Sequence, residues 1–294
     1  MSEACSGAKA VKKLLDERNF SFSKSMGQNF LIDDNITKKM VRLSGIDESC
    51  GVIEVGPGIG ALTLELSRAA GCVIAVELDR RLLPVLEETF ADQRNVVIMQ
   101  GDILKLDIKN LVSEKMPGLS KYHVCANLPY NITTPVISDF ISMGIFDSMT
   151  VMVQKEVARR ICAGPGSADY GAFTVYVSYH TAPRPLFDVP PECFMPRPGV
   201  WSSVIAMKSR EERPLKPEQE KKFFGIVRAA FSQRRKTLVN ALFSVYGNTV
   251  NKADITDIIK QCGFDERVRG ETLSTEDFIM LSAKMIHIGC MTSL

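Results

Sequence analysis

A chain of 294 residues with 45% hydrophobic and 24% charged side chains has the composition of a globular protein, which excludes a disordered or fibrous class, and its length calls for one large domain with a smaller partner. No stretch approaches the roughly 18 apolar residues of a membrane span and the N-terminus lacks an apolar secretory block, so a cytoplasmic protein is expected. The formal net charge of +2 excludes little, because a nucleic-acid site can be a local patch on a nearly neutral protein.

Residues 9–20 place Val11, Leu14 and Leu15 on one helical face with Lys12, Lys13 and Arg18 elsewhere; such a face is either solvated or an RNA contact. A polar, glycine-containing loop follows from Lys24 to Leu31, and Asp33-Asp34-Asn35 then caps a helix running through Leu43. Apolar strand-like runs are expected at 51–56, 72–78, 95–100, 122–126, 149–153, 173–179 and 202–207. Most are separated by helix-length segments, an α/β layout with a largely parallel sheet. The last two runs are joined by a proline-rich connection (Pro183, Pro185, Pro190, Pro191, Pro196, Pro198), so an antiparallel pair is expected at that end. The charged, proline-containing stretch from Lys208 to Glu220 reads as a linker. Beyond it only helical periodicity appears, ending in a helix begun by Ser274 with Asp277 three residues on. The expected domains are 1–209 and 210–294.

The eight cysteines, Cys5 to Cys290, are scattered singly, without a C-x-x-C pair or a nearby histidine. They read as reduced thiols, with Cys72 and Cys125 packed as small hydrophobes inside strands. His123, His180 and His287 form no triad or ligand pattern, and no metal is expected.

The run from Val52 to Thr63 reads as strand, tight turn and helix, with Gly56, Gly58 and Gly60 at the turn. Glycines there let the backbone turn sharply and press on a ligand, and the helix start that follows offers free N–H groups. Taken alone, this stretch and Glu77 also satisfy the dinucleotide fingerprint. Ligands of open α/β sheets sit beyond the carboxyl ends of the strands, and those ends are polar in a consistent way. Glu77 and Asp79 end the second strand, Gly101-Asp102 the third and Asn127-Leu128-Pro129-Tyr130 the fourth. Glu77 suits a ribose diol and Asp102 an adenine amine, while Gln28 and Asn29 could hold an amino-acid moiety. An exocyclic base amine is a poor nucleophile, because its lone pair is delocalised into the ring. Hydrogen bonds from both its N–H groups, to the Asn127 side-chain oxygen and the Leu128 carbonyl, would return density to nitrogen as attack begins. Tyr130 would stack on the base, and Phe194, in a proline-stiffened loop, could form the other wall. Lys221, Lys222, Arg228, Arg234, Arg235 and Lys236 fall in a span without Asp or Glu, which suits phosphate contacts.

These residues resemble the ribosomal RNA adenine dimethyltransferases of the KsgA type, within the class I S-adenosylmethionine-dependent methyltransferases. The resemblance rests on Gly27-Gln28-Asn29-Phe30-Leu31, the Glu54 to Gly60 glycine loop, Val76-Glu77-Leu78-Asp79, Gly101-Asp102, Asn127 to Ile132, the Phe-x-Pro-x-Pro-x-Val-x-Ser run from Phe194 to Ser202, and Arg234-Arg235-Lys236-Thr237-Leu238. It implies a Rossmann-like, seven-stranded, mostly parallel sheet with a smaller C-terminal all-helical, RNA-binding domain. It implies S-adenosylmethionine bound by Gln28, Asn29, Leu31, Gly56, Gly58, Glu77, Asp102 and Asn127, and a target adenine held by Asn127, Tyr130 and Phe194. The implied substrate is a pair of adjacent adenines in the 3′-terminal hairpin loop of 16S rRNA within a 30S assembly particle, each methylated twice at N6. Met26 stands where the family often has Leu, and Ser167-Ala168-Asp169 replaces a more basic approach to Tyr170-Gly171. A monomer is the default expectation. The alternatives are a large-subunit rRNA methyltransferase, a nicotinamide-dependent oxidoreductase, and a role in ribosome assembly that outlives catalysis.

Overall fold

The computed structural model describes Phe22 and residues 28–287. The expected helix over 9–20, Lys24 to Gly27 of the polar loop, Cys5, Cys290 and the side chain of His287 lie outside what is described. The chain divides into two compact units, Met1–Ala158 with Pro183–Ser209, and Arg159–Ala182 with Arg210–Leu294.

In chain order the strands are β1 (Phe30–Leu31), β2 (Cys50–Val55), β3 (Cys72–Glu77), β4 (Val96–Gln100), β5 (Lys121–Asn127), β6 (Ser148–Gln154), β7 (Thr181–Val189), β8 (Phe194–Met195) and β9 (Ser202–Ser209). The helices are α1 (Asp34–Ser44), α2 (Ala61–Ala69), α3 (Leu83–Thr89), α4 (Ile108–Lys115), α5 (Thr133–Met143), α6 (Lys155–Ile161), α7 (Ala172–His180), α8 (Pro217–Ser232), α9 (Leu238–Tyr246), α10 (Lys252–Gln261) and α11 (Thr275–His287).

A seven-stranded sheet runs in the order β4-β3-β2-β5-β6-β9-β7. From β4 to β6 the neighbours are parallel, and β9 then pairs antiparallel with β6, from Ser148↔Lys208 to Gln154↔Ser202. Helices on both faces explain why the central strands are continuous apolar runs: Val52, Ile53, Val73, Ile74, Val124 and Cys125 are all buried. The strand order reverses direction beside β2, so the carboxyl ends of β2, β3, β4 and β5 converge on one edge. Asp33 caps α1 by accepting from the Asn35 N–H at 2.9 Å, and Gly45 ends it at φ 73°. Away from the main sheet, β1 and β8 form a small antiparallel ladder, Phe30 opposite Met195 and Leu31 opposite Phe194.

One expected strand is a helix. Residues 173–179 lie in α7, and the strand is the following segment, β7, which contains Pro183 and Pro185. Proline cannot donate to a ladder, but β7 is the edge strand of the sheet, where the missing N–H costs least. The same correction moves residues 159–182 out of the first expected domain. They cluster with the helical unit, and the boundary expected at 209/210 coincides with the last of the three crossings.

In the second unit, α7 through α11 enclose one core, with Tyr170, Tyr179, Phe223, Leu238, Ile258 and Phe278 among its buried members. The helix starts follow from their caps. Thr237 accepts from Asn240 N, Asn251 from Asp254 N, and Ser274 and Asp277 bond reciprocally, Ser274 N to Asp277 Oδ2 at 2.9 Å and Asp277 N to Ser274 Oγ at 3.1 Å. Among the described residues no helix is long and apolar enough to cross a membrane.

Candidate active site

The converging strand ends enclose a cavity of about 230 Å³. It brings together Gln28, Asn29, Leu31, Gly56, Gly58, Glu77, Asp102, Asn127 and Tyr130, nine positions spread over a hundred residues of sequence. Its floor is the turn between β2 and α2. Gly58 and Gly60 take φ of 61° and 89°, and a Cβ would meet the Phe30 ring at 2.9 Å in the first case and the Phe90 ring at 2.6 Å in the second. The glycines are therefore required both by the left-handed backbone and by the packing of aromatic rings against it.

Glu77 ends β3 buried, its Oε1 accepting from Asp79 N at 2.8 Å and its Oε2 from Gly58 N at 3.2 Å. Burial pushes its pKa up, and the neighbouring Asp79 charge adds to this, while those two N–H groups hold it down. Asp79 is stabilised as an anion, chiefly by Arg81, whose Nη2 lies 2.5 Å from Oδ2. Gln28 Nε2 donates to the same carboxylate at 2.7 Å, so the 28–31 segment is anchored to the end of β3.

Asn127, the last residue of β5, donates from Nδ2 to the Asn29 carbonyl at 3.2 Å. That contact fixes which amide atom is nitrogen and leaves Oδ1 as the acceptor on the other side. The Leu128 N–H is taken by Met152 O at 3.1 Å. Among the described residues no donor reaches Asn127 Oδ1 or the Leu128 carbonyl. Tyr130 also lines the cavity, its hydroxyl 2.6 Å from Ser202 Oγ, and burial raises its pKa.

Phe194 is placed differently. It is only 3% exposed, packs in a hydrophobic cluster with Leu31 and Met40, and does not line the cavity. What it does do is pair with Leu31 through the β1–β8 ladder, so the expected donor side and acceptor side are joined by backbone.

Three features went unread in the sequence. Glu54, on β2, is buried against the cavity with Oε2 lacking a hydrogen-bond partner among the described residues. Burial, reinforced by the Glu77 charge, pushes its pKa up to about 8. Leu78 and Leu104, 50% and 38% exposed, stand immediately beyond Glu77 and near Asp102 on the cavity wall. Large apolar side chains left open beside acids suit the two faces of a planar ring; their position after each strand-end acid was the available signal. The cavity thus offers three carboxyl groups, apolar walls and a backbone turn without side chains. This donor set fits a ligand with ribose, adenine and a positively charged amino-acid arm, the composition of S-adenosylmethionine. Among the described residues no cluster could hold a metal ion.

In the helical unit, Lys221, Arg228, Arg234, Arg235 and Lys236 are exposed and Lys222 is half-buried. Arg234 is engaged within the unit, its Nε 2.6 Å from Glu271 Oε2 and its Nη2 3.0 Å from Ser167 O. Asp169, the departure noted beside Tyr170, pairs with Arg159 at 3.3 Å.

A family model described as ribosomal RNA adenine dimethylase matches residues 19–281. The chain is 43% identical over 280 residues to a ribosomal RNA small subunit methyltransferase A of Geobacillus sp. (strain WCH70), covering 95% of this chain and 96% of the relative. It is 44% identical over 274 residues to the protein of that name from Clostridioides difficile (strain 630), covering 93% and 94%. Among solved structures, a dimethyladenosine transferase from Plasmodium falciparum superposes with a TM-score of 0.75 at 26% identity, covering 88% of this chain and 98% of that one. The 23S rRNA methyltransferase ErmE shares the fold, with a TM-score of 0.70 at 21% identity over 88% of this chain and all of that one.

Proposed function

The chain belongs to the ribosomal RNA adenine dimethylase family, and from that premise we propose that it dimethylates the N6 of two adjacent adenines in the 3′-terminal hairpin loop of 16S rRNA. It is a methyltransferase. We place its action on a 30S assembly particle in the cytoplasm, as a monomer, with the sheet unit, 1–209 less residues 159–182, binding the donor and the helical unit, 210–294 with residues 159–182, contributing RNA contacts. S-adenosylmethionine, when bound, would supply an electrophilic methyl group on sulfur, whose carbon–sulfur bond breaks as the carbon–nitrogen bond forms, with a neutral thioether as leaving group.

The protein's part is positioning and charge placement. Glu77 accepts from the ribose hydroxyls, Asp102 from the adenine amine of the donor, and Gln28, Asn29 and Leu31 close over it beside the Gly56 to Gly58 turn. Asn127 Oδ1 and the Leu128 carbonyl accept the two N–H groups of the target amine in the first transfer, and one of them accepts the single N–H that remains for the second. As the carbon–nitrogen bond forms, the amine loses conjugation with its ring and its N–H groups become more acidic, so both acceptors bind the transition state more tightly than the ground state. The product nitrogen then sheds a proton to water, and no general base is required. A loop adenine leaves its stack at less cost than a paired one. Tyr130 offers it a face. Phe194 is the second wall in this reading; with its ring buried, stacking on it requires the β8 loop to swing outward.

The observation that carries the proposal is the Asn127 amide, clamped by its nitrogen to Asn29 O and presenting its oxygen at the sheet edge together with the Leu128 carbonyl. A nicotinamide-dependent chemistry gives these acceptors no task. The test is transfer of tritiated methyl onto unmethylated 30S particles and, separately, 23S rRNA, with the modified nucleotides mapped. Label is expected on two adjacent adenines of the 30S particle alone, and label on 23S rRNA alone would overturn the substrate. Asn127→Ala is expected to lower kcat by about 10²–10³-fold while the donor Kd, measured by calorimetry, changes only a few-fold. Full activity in that variant would remove Asn127 from the mechanism.

A further inference from the structure

Two large apolar side chains at the edge of this sheet have no task in the reaction above. Val200 and Trp201 are 47% and 49% exposed and end the proline-containing loop between β8 and β9. An exposed indole is an unusual expense for a protein, because tryptophan is ordinarily covered by its own core or by a ligand. Trp201 is also the single tryptophan of the chain.

Its surroundings are organised. The Trp201 carbonyl accepts from the Lys155 N–H at 2.9 Å, just past the end of β6, and Lys155 Nζ stands 5.5 Å from the indole centroid. Lys155 is held in turn by Asp188 at 2.6 Å, and Asp188 by the Ser203 hydroxyl at 2.7 Å. The next residue along the chain, Ser202, contacts the hydroxyl of Tyr130, which lines the cavity. The indole is therefore braced by a fixed cation, half open to solvent, and next in the chain to Ser202, the hydrogen-bond partner of the cavity-lining Tyr130.

Of the ligands an RNA methyltransferase meets, the one that fits is a planar, unpaired base. Single-stranded loops are recognised by bases splayed onto aromatic rings, and an indole accepts any base because each has a π face. Asp188 neutralises much of the Lys155 charge, so the ring, not a phosphate contact, is the main feature. We propose that Trp201, braced by Lys155, is a stacking platform for an unpaired base of the RNA substrate other than the adenine under attack. The proposal rests on the methyl-transfer reading of the same edge.

The lone tryptophan makes the test direct. A hairpin RNA with an adenine-containing single-stranded loop is titrated into the full chain while indole emission and the anisotropy of a label on the RNA are followed together. The loop RNA is expected to quench the indole in step with binding. The same hairpin with abasic loop nucleotides should bind without quenching, and so should a blunt duplex of equal length. Trp201→Ala is expected to bind the loop RNA about tenfold more weakly, and Trp201→Phe to recover most of that loss, with donor affinity unchanged in both. Binding of loop RNA with unmoved emission, equal quenching by the abasic hairpin, or full affinity in Trp201→Ala would each overturn the platform. Methyl transfer to 30S particles, measured on the same preparation, separates the two failures: transfer with a silent indole sinks this proposal alone, and absence of transfer sinks the function on which it rests.

Discussion

Glu54 is a carboxyl group whose protonation the fold alters strongly. Its carboxyl, ordinarily near 4.5, is pushed up to about 8 by complete burial, with the Glu77 charge adding to the shift. Between those two values the unfolded chain has lost the proton and the folded chain has kept it, so the unfolded state binds fewer protons and stability falls as pH rises through the window. Glu77 is shifted in the same direction and adds a slope of the same sign. Glu54→Gln is expected to remove the larger share: its melting temperature should gain on the parent's steadily from about pH 5 to pH 8, by an amount equivalent to a few kcal/mol. Thermal melts of both proteins across that range check this, and a constant difference would mean that Glu54 is ionised in the folded protein. The grouping of most candidate residues around one cavity was readable without coordinates, since strand-end logic picks out Glu77, Asp102 and Asn127 by position alone. The upward pKa shift of Glu54 was not readable, because it depends on how completely the fold excludes water from the carboxyl. The burial of Phe194 was hidden for the same reason.

Strands and helices were legible where their hydrophobic period was clear, and misread where local preference opposed tertiary packing. Residues 173–179, rich in β-branched and aromatic types, look like a strand, yet Val175 and Tyr179, four residues apart, are both buried in the helical core, as one face of a helix requires. The start of α7 is secured by Thr174, whose hydroxyl accepts from Gly171 N at 3.1 Å and donates to Arg160 O at 2.6 Å. The prolines of β7 masked a strand in the one place a sheet tolerates them. At the other extreme, the Ser274 and Asp277 pair announced α11 from spacing alone, because its two hydrogen bonds are local. Ser274→Ala is expected to cost about 1 kcal/mol of stability, read as a lower denaturant midpoint with an unchanged slope; an unchanged midpoint would show that packing of Phe278 and Leu281 sets the helix start by itself.

At the scale of the whole chain, the helical unit is not a simple C-terminal appendage, since it takes residues 159–182 from the middle of the sequence. Tyr170 donates to Leu273 O at 2.8 Å and stacks edge-on to Phe231 at 5.7 Å, and Tyr179 lies 4.9 Å from Phe223. A chain cut at residue 209 therefore keeps Tyr170, Val175 and Tyr179 but loses what covers them. Such a fragment is expected to bind a hydrophobic dye and to aggregate on size exclusion; a monodisperse, dye-negative fragment would show that the 159–182 segment finds other cover. The linker expected from Lys208 to Glu220 was visible in composition, although β9 keeps Lys208 and Ser209 and the helix α8 begins at Pro217. The first two crossings were not, because no composition change marks them.

The ladder between Phe30-Leu31 and Phe194-Met195 has a thermodynamic corollary. The donor contacts proposed for 28–31 and the base contact proposed for 194 would fall on opposite strands of one short hydrogen-bonded pair, so ordering either strand would lower the entropy left for its partner to lose. The two ligands should then bind cooperatively, and linkage demands that the factor by which donor tightens RNA equal the factor by which RNA tightens donor. Four calorimetric titrations, each ligand with and without the other, must close that square.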